Sequence, residues 1–66
     1  MMQEWELRIQ TIYLNSRRFM RDTPEDWEKV FECFRKVLDE YDNAPQVMEH
    51  VQAYIVRLEK YLKGNR

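Results

Sequence analysis

The stretch Thr23–Tyr41, TPEDWEKVFECFRKVLDEY, decides the fold class. Its apolar residues Trp27, Val30, Phe31, Phe34, Val37, Leu38 and Tyr41 recur at spacings of three and four, the period of one helix face and not of a strand. Its start is equally marked. Thr23 offers a side-chain oxygen to free backbone amides, Pro24 has the φ of a first helical position, and Glu25 and Asp26 favour the positive end of the dipole. The pattern predicts a helix over about 24–42.

The same period continues on both sides. Toward the N-terminus, Met2, Trp5, Ile9, Ile12, Ser16 and Phe19 predict a helix over about 2–20. Toward the C-terminus, Asp42-Asn43-Ala44-Pro45-Gln46 interrupts the pattern, with Asn43 as the expected N-cap and Gln46 three residues on as a weak capping box. Val47, Val51, Tyr54, Ile55, Leu58, Tyr61 and Leu62 then predict a third helix over about 44–63, and Gly64 stands where a helix stop belongs. Three helices with short connections imply an all-α, three-helix up-down-up bundle forming a single domain over residues 1–66. The competing architecture is a long helical hairpin whose core is completed only by homodimerisation.

Composition excludes several classes. With 66 residues, 44% hydrophobic, 35% charged, one Gly and two Pro, the chain is neither disordered nor collagen-like nor a turn-rich β domain. No apolar run approaches the roughly 18 residues that span a bilayer, so no membrane association is expected. The single cysteine, Cys33, cannot close an internal disulfide. These features point to a cytoplasmic protein.

Catalysis needs converging groups, and few are on offer. Cys33 and His50 are the only thiol–imidazole pair, with no glycine-rich strained turn and no evident third orienting residue. Spacings of the CxxC, HExxH, Glu-x-x-His and EF-hand kinds are missing, as are phosphate loops. The expectation is a protein that is not an enzyme, with no cofactor and no metal site. Both Cys33 and His50 read more simply as residues at the edges of helix stripes.

Charge is unevenly distributed. Residues 1–22 carry four bases against three acids, residues 23–43 three against seven, and residues 44–66 four against two, for a net −1. The up-down-up arrangement gathers Arg17, Arg18, Arg21, Lys60, Lys63 and Arg66 at one end, mostly where helix dipoles favour bases. At the other end Asp39, Glu40 and Asp42 crowd the negative terminus of the second helix, against its dipole. Residues that oppose local stability are candidates for function.

Two leucines also break the pattern. On a wheel of about 100° per residue, Leu7 and Leu14 fall on the back of the first helix, a heptad apart among Gln3, Gln10, Arg18 and Arg21. Leu7, Leu14, Asp39, Glu40 and Asp42 are therefore the candidate partner-binding residues of a small non-enzymatic protein–protein interaction module. Such a module would act as an adaptor, regulator or inhibitor of the bacterial, phage or plasmid type. Its partner is expected to be another protein or, in a homodimer, a second copy. The alternative is a small nucleic-acid-binding protein using the basic end, against which stand the net charge, the acids interleaved at that end and an acidic second helix.

Overall fold

The computed structural model describes residues 2–64, and these form three helices in the order read from the chain: α1 (Glu4–Phe19), α2 (Pro24–Glu40) and α3 (Pro45–Gly64). The described residues contain no strand. Side-chain pairs fix the up-down-up topology. Arg8 near the start of α1 meets Glu40 at the end of α2, whereas Trp5 meets His50 early in α3, Tyr13 meets Tyr54, and Arg17 meets Tyr61 near its end. So α2 runs antiparallel to α1, and α3 runs alongside it.

The core is Ile9, Tyr13, Val30, Phe34, Val37, Val47, Val51, Leu58 and Leu62. Helix α1 lies between the other two, packing most extensively on α3, while α2 and α3 touch least. The bundle is correspondingly flattened, measuring 32 × 25 × 16 Å.

Turn chemistry sets the helix ends. At the start of α1, Glu6 accepts a hydrogen bond from the Gln3 amide (2.9 Å), so the helix begins at Glu4 rather than at residue 2. Between α1 and α2 the connection is sealed by short polar contacts. Thr23 Oγ1 accepts from the Asp26 amide (3.3 Å), and Asp26 accepts from the Arg21 amide (2.7 Å) and its Nε (3.2 Å). The Trp27 indole N–H donates to Asp22 (2.7 Å). Pro24 occupies the first turn of α2, as its fixed φ and missing N–H allow.

The second connection departs from expectation. Helix α2 stops at Glu40, not Asp42, and Asn43 is not the cap of α3. Asp42 and Asn43 both take the left-handed conformation, with φ of 54° and 55°. The Asn43 amide donates to Leu38 O (2.8 Å) and the Asp42 amide to Asp39 O (3.3 Å), which is a Schellman-type helix end. Asp and Asn are the non-glycine residues that best tolerate this region. Ala44 then supplies the first carbonyl for α3, accepting from the Met48 amide (3.0 Å). Gly64 is still helical and closes the described part of α3.

The stripe expected for the first helix is also shifted. Tyr13, absent from it, is buried, whereas Phe19 is 76% exposed and Met2 is exposed as well. Because α1 packs on two neighbours, its buried meridian runs through Ile9 and Tyr13. The chain leaves the helix at Met20, whose extended backbone (ψ 155°) turns that side chain inward in place of Phe19. On α2, Phe31 is likewise 47% exposed, on an outward face shared with Glu28, Glu32 and Arg35.

Candidate functional site

Leu7 and Leu14 stand on the outward face of α1, 56% and 42% exposed. They belong to a longer exposed row, Glu4, Leu7, Thr11, Leu14 and Arg18, whose spacings of three and four keep all five on one face of the helix. Thr11 Oγ1 donates to Leu7 O (2.9 Å), leaving this ridge apolar at its centre. Beside it runs an open groove of about 410 Å³ between α1 and α2, with Leu7, Thr11, Ile12, Cys33 and Val37 along it and the charged Glu4, Arg8 and Lys36 at its walls. Cys33 and Val37 enter this site by tertiary packing alone. The only hint in the chain is that Cys33 sits at the edge of the α2 stripe.

The acidic end resolves into separate roles. Glu40 is paired: Arg8 Nη2 donates to Glu40 Oε2 at 2.7 Å across α1 and α2. That hydrogen bond holds the Glu40 carboxyl below its ordinary value and the Arg8 guanidinium above its own. Asp42 is taken up by the left-handed helix end. Asp39 stays exposed on the last turn of α2, where no basic residue answers it. Asp39 and Asp42 thus keep exposed carboxylates with no ion pair among the described residues, whereas the Arg8 partner of Glu40, 32 residues away in sequence, cannot be read from local spacing.

The basic end is dispersed in the same way. Arg21 is bound to Asp26, and Lys63 pairs with Glu59 (3.2 Å) along α3. Arg17 lies over the rings of Tyr61 (4.9 Å) and Tyr13 (5.7 Å), and Arg18 over Phe19 (5.3 Å). Lys60 is exposed, and Arg66 lies outside the described residues. A residue missed from sequence joins this group: Arg57 covers Tyr54 (4.9 Å) and Tyr13 (5.6 Å). The result is an alternating ladder of two arginines and three tyrosines fastening α1 to α3, signalled only by the Tyr54-Arg57-Tyr61 spacing.

Cys33 and His50 do not converge. Cys33 lines the groove on the α2 side of α1. His50 sits on the α3 side, with Nε2 3.6 Å from Glu6 Oε2 and its ring edge-to-face with Trp5, centroids 4.8 Å apart. Among the described residues no three His, Cys, Asp or Glu side chains gather as metal ligands, and no helix is long and apolar enough to cross a membrane. No protein-family model matches the chain, and comparisons with curated proteins and with solved structures return no match.

Proposed function

We propose that this chain is a non-enzymatic protein–protein interaction module, an adaptor, regulator or inhibitor that docks another polypeptide along the outward ridge of α1. One observation carries the reading: Leu7 and Leu14 stand exposed on a single face of α1, and a groove with an apolar floor opens beside Leu7. Exposed large aliphatic side chains are ordinary when scattered. Two in register next to a groove form the kind of contiguous surface that a partner helix fills. Asp39 and Asp42, exposed where α2 gives way to the turn, supply a secondary contact for basic groups on the partner.

The test is capture from a lysate of the source cells by tagged chain, comparing the parent with Leu7→Glu/Leu14→Glu. Val56→Glu, at an exposed apolar position on α3, controls for added charge. The expected result is a polypeptide, an untagged copy included, retained by the parent and by Val56→Glu and lost by the leucine variant, with helical content unchanged by circular dichroism. Equal retention by the leucine variant refutes the proposal.

A further inference from the structure

The α1 ridge has an internal symmetry that bears on what covers it. Counting from Thr11, Leu7 stands four residues back and Leu14 three residues on, while Glu4 and Arg18 lie seven residues to either side. The ridge therefore reads acid, leucine, threonine, leucine, base. It is nearly palindromic in shape and antisymmetric in charge. All five residues are exposed, and neither Glu4 nor Arg18 forms an ion pair among the described residues.

We infer that the chain docked on this ridge is a second copy of the protein, its α1 antiparallel to the first about a two-fold axis through Thr11; the inference rests on the ridge being a docking face. In that arrangement Leu7 meets Leu14 of the other copy on both sides of the axis, and Glu4 meets the opposite Arg18 twice. A two-fold contact uses the same patch from both subunits and so requires self-complementarity, which this ridge has. Charge also selects the direction. A parallel pairing sets Glu4 against Glu4 and Arg18 against Arg18, and juxtaposed like charges are a penalty that antiparallel pairing converts to attraction.

The groove gives the leucines a place to go. It opens beside Leu7 and Thr11 and is floored by Ile12 and Val37, so a leucine from the facing helix enters as a knob between α1 and α2. The flattened monomer exposes 5102 Å². A stable interface takes about 800 Å² from each partner. Helix α1, 16 residues and about 24 Å long, supplies only part of that, so the contact extends across the groove to Cys33 and Lys36 on α2.

The experiment is absolute mass by size-exclusion chromatography with light scattering, from micromolar to millimolar chain, for the parent and three variants. The parent is expected to rise toward twice 8.3 kDa. Leu7→Glu/Leu14→Glu remains monomeric. Glu4→Arg, which sets like charges together at both ends, weakens the dimer by about tenfold or more. Glu4→Arg/Arg18→Glu exchanges the charges within one chain and restores the dimer, while circular dichroism confirms equal helicity throughout. A parent that stays at 8.3 kDa over the whole range overturns the second-copy inference alone, and the capture experiment then decides whether the ridge is a docking face. A dimer that survives the leucine variant is built on another face and likewise overturns the second-copy inference, leaving the docking face to the capture experiment. A dimer lost with the leucines but not restored by charge exchange overturns the antiparallel arrangement.

Discussion

Phe34 and Phe31 show how much a single turn of helix matters. Phe34 is 1% exposed at the centre of the core, whereas Phe31, three residues earlier, is nearly half exposed and rests against Trp27 with ring centroids 5.6 Å apart. Truncating a buried Phe to Ala costs about 3–5 kcal/mol, and a chain of 66 residues holds only about 3–10 kcal/mol in all. Phe34→Ala is therefore expected to be largely unfolded at 25 °C by circular dichroism. Phe31→Ala should stay folded and lose no more than about 1 kcal/mol in urea unfolding. Equal losses would mean that the core is not centred where the structure puts it. Both phenylalanines fit the helical period of α2, so local spacing groups them; what separates them is which of the two the neighbouring helices cover, a tertiary fact. The left-handed pair Asp42 and Asn43 is a second case. Asp-Asn is legible as a turn, but local spacing points to a cap for the next helix, whereas the pair closes the previous one. Asp42→Gly removes the steric cost of the left-handed conformation and should raise stability by about 0.5–1 kcal/mol, seen as a higher Tm. An unchanged or lower Tm would count against that backbone geometry.

Helix α1 is the element on which the others depend, since it meets α3 through the tyrosine–arginine ladder and α2 through Arg8 and the groove. Its N- and C-terminal thirds pair with the corresponding thirds of α3, through Trp5–His50 and Arg17–Tyr61. An arginine over a tyrosine face contributes about 0.5–1 kcal/mol at an exposed site, and its flat guanidinium stacks where an ammonium cannot. Arg57 touches both Tyr54 and Tyr13, so Arg57→Ala is expected to destabilise by about 1 kcal/mol in urea unfolding, with Arg57→Lys recovering less than half of the loss. Full recovery by lysine would show that charge alone, not stacking, matters at that position. Helix number, order and three of the connection residues (Thr23, Pro24 and Pro45) were legible because caps and prolines act locally. The ladder was not, because Tyr13 and Arg57 come together only once α1 and α3 lie side by side.

At the scale of the whole molecule, a flat bundle with a small core is expected to draw part of its stability from the polar contacts at its connections, and that contribution carries a pH signature. Asp26, its side chain 11% exposed, accepts hydrogen bonds first from the Arg21 amide and then from the Arg21 side chain, which holds its carboxyl below the ordinary aspartate value. Glu40 is lowered by its hydrogen bond from Arg8, with the charge attraction adding to it. A carboxyl whose folded value lies below its unfolded one stabilises the protein above the unfolded value, about 4 for both types, and loses that contribution as pH falls through the folded value. One contact closes the α1–α2 turn and the other joins the far ends of the same helices, so protonation loosens the hairpin at both ends together. The Tm is therefore expected to fall as pH is lowered from about 5 to about 3, while the variant Asp26→Asn/Glu40→Gln starts from a lower Tm at neutral pH and falls less over that interval. If the variant loses as many degrees as the parent, other carboxyls govern the acid response.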